Sequence, residues 1–180
     1  MTLRESQRGK RVQLPSVDVF IGLIFLVGIA YGFILQREKT ITTLISVYIG
    51  LVVASSFSGT VFDFFNGNTV IANQIWIRSN ASNPTIAIII FLLTTFLVSG
   101  AINSKSKKGD GDLSMFEIIV YSFLMIALIL SSILGFLPEA SRGHYIETSL
   151  AAKYLWSMRT IFVVLPPIML VFLNWKKKGK

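Results

Sequence analysis

The sequence predicts an all-α protein, a polytopic transmembrane helical bundle, and three observations carry that prediction. Hydrophobic residues make up 53% of the 180 positions and charged residues only 14%, a balance too apolar for an ordinary soluble domain. The apolar residues fall in several charge-free runs of about 17 residues or more, long enough for a helix to cross a hydrocarbon core of about 30 Å. Those runs are continuous rather than alternating, which argues against a closed barrel of short strands. The chain divides into a basic N-terminal tail (1–16), a transmembrane domain (17–175) with four spans and a shorter fifth apolar run, and a basic C-terminal tail (176–180).

Taken in order, the tail carries Arg4, Arg8, Lys10 and Arg11 and ends at Leu14-Pro15-Ser16. Ser16 or Asp18 offers a side-chain oxygen to cap the helix that follows. Val19 to Leu35 is the first span, with Gly28 and Gly32 in a GxxxG pair. Gln36-Arg37-Glu38-Lys39 is a tight polar turn, so the first two spans form an antiparallel hairpin. Thr40 to Phe64 is the second span, in which Ser46, Gly50, Ala54 and Ser58 recur at every fourth residue and line one side. Small residues at that spacing let a neighbouring backbone approach closely in lipid, so this span is expected to be the central helix, with Gly28 and Gly32 set against its ridge.

Asn66 to Asn83 is a long connection in which Val70 to Ile77 forms a short interfacial helix, with Trp76 at headgroup level. Asn83-Pro84 opens the third span, Ile86 to Ile102; proline in a first turn loses an N–H that has no helical partner there. Asn103 to Asp112, with Lys105, Lys107 and Lys108, is a solvated hairpin. Glu117 leads into the fourth span, Ile118 to Leu137, where Ala127, Ser131 and Gly135 repeat the small-residue spacing. Glu139 to Met158 is polar, with an interfacial helix at Ser149 to Met158. Thr160 to Trp175 is the fifth run, broken by Pro166-Pro167, with Arg159 and Lys176 placed to snorkel at its ends.

The net charge of +8 lies mostly in tails and short loops. That placement points to membrane orientation and to a bilayer with anionic headgroups rather than to nucleic acid. With the N-terminus outside, the lysine hairpin and the C-terminal lysines fall on the inner side. No cysteine is present, which removes disulfides, thiolate catalysis and thiolate-bound metals. His144 is the single histidine, and no His-Glu-x-x-His pattern accompanies it to make a zinc site. Ser55-Ser56 and Ser131-Ser132 have no base at a legible spacing, so they read as packing residues. Asp18, Asp63, Glu117 and Arg159 sit at span ends, where polar side chains reach water; a carboxylate in mid-span would instead mark a proton or ion path. Neither catalytic residues nor a cofactor or metal site is expected. The partners the sequence allows are the bilayer itself and a second membrane protein or a second copy of this chain.

One family resemblance is carried by particular residues. Asp18 stands at the start of an apolar span, and Gly32-Phe33 precedes a charged turn. Gly50 and Ala54 lie in a small-residue helix. The third span reads Ile86-Ala87-Ile88 through Phe91, Thr95 and Val98 to Gly100-Ala101-Ile102-Asn103, and Ser149-Leu150 to Tyr154-Leu155 follows the fourth. From Val17 to Leu155 this pattern resembles the colicin V production (CvpA-like) family of small bacterial inner-membrane proteins. The stretch between Gly32 and Gly50 is longer than the family's, and a fifth apolar run follows where many of its members stop. The resemblance implies a non-enzymatic, multi-pass protein of the bacterial plasma membrane, linked to toxin (colicin V) production or secretion and to envelope homeostasis. A small transporter, or a membrane subunit of a larger transport complex, is the alternative.

Overall fold

The structure, a computed structural model, describes residues 16–65, 81–102 and 115–178. Every regular element among them is a helix. In chain order these are α1 (Val17–Phe65), α2 (Asn83–Ala101), α3 (Met115–Phe136), α4 (Glu139–Thr148), α5 (Leu150–Ser157) and α6 (Arg159–Lys178). Four segments are long and apolar enough to cross a membrane: Val17–Ile34, Lys39–Phe65, Asn83–Ala101 and Glu117–Phe136. The chain is thus an all-α bundle of the predicted class. The basic N-terminal tail through Pro15, the Val70 to Ile77 stretch and the lysine hairpin lie outside the described residues.

The backbone is helical through all 49 residues of α1, yet α1 is not one straight rod. Gly28 lies against Ile126 and Gly32 against Ser122, while Ile21 and Leu134 share a cluster. The first arm, Val17–Ile34, therefore runs antiparallel to α3, with Phe136 level with its start. Gly50, on the second arm, lies against Phe91 and Thr95 of α2. On a straight α1, Phe91 and Phe136 would be separated by about 30 residues of rise, or about 45 Å. Their ring centroids are 5.9 Å apart. The axis must reverse between Ile34 and Lys39, where the polar turn was expected, but with helical backbone in place of a loop.

The bundle is organised around α3 rather than around the second span. In its membrane-crossing window 56% of residues are buried, against 33% for Lys39–Phe65. The second arm of α1 and α2 bring Leu44, Val47, Ala54 and Phe91 onto Tyr121, Met125 and Leu128 of α3 in one cluster. The first arm and α5 bring Ile21, Ala152 and Leu155 onto Ala127 and Leu134 in another. The Gly28/Gly32 pair accordingly meets α3, not the small ridge of the second span. A small-residue ridge marks where one backbone comes close; being central requires apolar contact all round, which the larger residues of α3 provide.

Hydroxyl groups stitch the spans. Thr43 and Ser99 hydroxyls are 3.1 Å apart between α1 and α2. Tyr48 donates its hydroxyl to the Val163 carbonyl of α6 at 2.7 Å, a free acceptor because Pro167, four residues on, has no N–H to offer it. Glu139 to Thr148, read from the sequence only as polar, is helix α4, and none of its residues is buried. Helix α5 falls within the helix expected over Ser149 to Met158. It meets the next segment at 59°, so Leu150–Ser157 and Arg159–Val171 count as a fifth crossing only if this bent pair is taken as one broken span.

Candidate functional site

The most built-up part of the molecule lies where the start of α1, the end of α3, α4 and α5 meet. Its fixed point is Ser149, fully buried between α4 and α5. The Ser149 hydroxyl accepts from the Ala152 N–H at 3.0 Å, capping α5 locally. It also donates to the Asp18 carboxylate at 2.7 Å, and the same carboxylate oxygen accepts from the Ala151 N–H at 2.9 Å. Asp18 therefore places its negative charge on the N-terminus of a helix 131 residues away, where free N–H groups and the helix dipole favour an anion. Its own helix is capped instead by Ser16, whose hydroxyl accepts from the Val19 N–H at 3.4 Å.

Beside this junction Trp156 collects two arginines. The Arg142 guanidinium lies 4.2 Å from the ring centroid and that of Arg159 5.3 Å, both within cation–π range. Arg159 also passes directly over Gly135; a Cβ there would come within 2.6 Å of its Cζ. Among the described residues neither guanidinium forms an ion pair with a carboxylate. On the inner side of the same junction is an apolar cleft of about 500 Å³. It is lined by Val17, Ile21 and Ile24 of α1, Leu130 and Leu134 of α3, and Leu155 of α5, with Tyr145 at its α4 wall.

The other predicted residues serve the packing of this one chain. Gly28, Gly32 and Gly50 each admit a neighbouring side chain or backbone where a Cβ would collide. Ser46, Ala54, Ala127 and Ser131 are fully buried, and Ser58 is half-buried. Ser131 and Ser132 both donate to the Leu128 carbonyl, at 3.1 and 2.7 Å, which occupies the hydroxyl protons a nucleophile would need to give to a base. Asp63 is exposed near the end of α1. Glu117 is half-buried at the start of α3, and one of its oxygens is buried without a partner, as are the hydroxyls of Thr95 and Ser122. His144 is exposed, edge-on to Tyr145. No group of three or more His, Asp or Glu side chains converges as a metal site among the described residues.

The Arg142–Trp156–Arg159 group and the cleft did not emerge from the sequence. A partial signal existed: Trp156 and Arg159 are only three residues apart, so they stay close across the bend between α5 and α6. Arg142 comes from another helix, and only the fold brings it in. No protein-family model, curated protein or solved structure matches the chain.

Proposed function

We propose that this chain is a non-enzymatic membrane scaffold that holds a second membrane protein against its first arm. In a bacterial plasma membrane, the resemblance to the colicin V production family would make that a role in toxin production or secretion and in envelope homeostasis. The observation that supports this reading is the poor use of Val17–Ile34 inside the bundle. Only 11% of that span is buried, while Leu23, Leu26, Val27, Tyr31 and Ile34 are all more than half exposed. The face is made of large apolar side chains, because the small-residue ridges are already spent on internal packing.

Purification in mild detergent with a photo-crosslinking residue at Leu26 tests the proposal. A discrete membrane protein crosslinked at Leu26, and absent when the probe is moved to Phe96 on α2, is the expected result. Crosslinks to lipid alone at both positions would overturn it. A second reading, a small transporter or a subunit of a transport complex, is favoured by the unpartnered buried oxygens of Thr95, Glu117 and Ser122. Buried polar atoms without partners are rare, and in membranes they mark paths for ions or solutes. Proton or solute flux in proteoliposomes that disappears in Glu117→Gln would support this reading over the scaffold.

A further inference from the structure

We propose that the cleft between α1, α3 and α5 is a binding site for one anionic glycerophospholipid, with an acyl chain in the cleft and the phosphate at Arg142 and Arg159. The proposal is independent of the scaffold reading and of the partner it invokes. Its first support is shape. The cleft's volume, about 500 Å³, falls within the roughly 300–1,000 Å³ typical of small-molecule sites. Its lining runs from Val17 and Leu137, at the span ends, inward to Ile24 and Leu130. Seven residues of helix between Val17 and Ile24 correspond to about 10 Å of depth, directed along the spans as a lipid tail would be. The walls are apolar side chains apart from the Tyr145 ring and its hydroxyl, so a polar solute would find almost nothing to bond.

The second support is charge. Arg142 is one helical turn before Tyr145, and Trp156 follows Leu155, so the two arginines flank residues of the cleft wall itself. Stacking on an aromatic face leaves the in-plane N–H groups of a guanidinium free, and their fork matches phosphate oxygens. The Asp18 carboxylate at this junction is engaged by Ser149 and Ala151. Glu139 and Glu147 of α4 are exposed, and neither pairs with these arginines among the described residues. A net anion is therefore favoured over a zwitterion, whose own cation would compete for its phosphate.

Native mass spectrometry of the full chain in mild detergent supplies the test, with titrations of phosphatidylglycerol, phosphatidylcholine and inorganic phosphate. One phosphatidylglycerol per chain is expected, bound at least tenfold more tightly than phosphatidylcholine and not displaced by inorganic phosphate. Arg142→Gln, on a helix with no buried residues, is expected to weaken it about tenfold, and Ile24→Trp, which fills the cleft, to abolish it. Arg142→Lys is expected to recover part of the loss. Unchanged melting and elution of Arg142→Gln identify the effect as loss of a contact rather than of fold. Equal retention of the two lipids, equal binding by wild type and Arg142→Gln, displacement by inorganic phosphate, or an apolar peptide in place of lipid would each overturn the proposal.

Discussion

Replacing Gly50 by alanine adds one carbon at the closest approach of α1 and α2. A Cβ at Gly50 would lie 2.9 Å from the Phe91 carbonyl oxygen and 3.3 Å from the Thr95 nitrogen, besides meeting the Thr95 hydroxyl. The hydroxyl can rotate away, but the other two atoms belong to the α2 backbone and move only if the helix moves. Overpacking of this kind costs about 1–3 kcal/mol. For a chain of this size, with about 2–4 °C of melting temperature per kcal/mol, that becomes a fall of roughly 2–12 °C. Gly59→Ala is the control, because nothing lies within 4 Å of its Cβ position. Gly28→Ala lies between, since it meets mainly the flexible end of Ile126. Adding Thr95→Ala to Gly50→Ala is expected to recover only part of the loss, as both backbone contacts remain. The assay is thermal unfolding in mild detergent, read by near-UV circular dichroism. Equal melting of Gly50→Ala and Gly59→Ala would refute the account of the α1/α2 contact.

Tyr48→Phe removes the hydroxyl bond from the second arm to the Val163 carbonyl of α6. A loss of about 1 kcal/mol is expected, together with faster amide exchange in α6 around Val163. Ser149→Ala removes both the local cap of α5 and the hydroxyl bond to Asp18 and is expected to cost about 2–4 kcal/mol, seen as a lower melting temperature, with Ser149→Thr milder. For orientation, the cysteine-free background allows Ser82→Cys and Ser106→Cys to be labelled one at a time. With the N-terminus outside, a membrane-impermeant maleimide is expected to modify only Ser82→Cys on intact spheroplasts; the reverse pattern inverts the orientation.

Span existence was legible because a run such as Ile118 to Leu137 has no other physical solution in water or lipid. The span ends were nearly as clear: Pro84 and Pro138 place the α2 and α3 boundaries within a few residues. What the chain concealed was the pairing of spans. Gly28 and Gly32 announce a close approach without naming the partner, and Ser122 and Ile126 are ordinary residues on the other side of it. Burial misled in the same way, since α3 owes its central place to Leu124, Met125 and Leu128, which look like lipid-facing residues in a sequence. The role of Asp18 was hidden for a different reason. A carboxylate in a first turn is usually assigned to its own helix, and nothing local reveals that α5 has been brought to it.

That last bond has a consequence for biogenesis. Chains are made from the N-terminus onward at about 5–20 residues per second, so Asp18 enters the bilayer interface well before Ser149 has been synthesised. Until α3 is made the first arm lacks both of the neighbours described above, because α3 and α5 follow α2 in the chain. The arm must wait in the membrane without that packing while the second arm and α2 are made. The Asp18 bond to α5 forms only after the 131 residues that separate Asp18 from Ser149 have been made. It latches the first arm last, and a chain stopped at Pro138 would keep the four spans from Val17 to Phe136 but leave that arm unlatched.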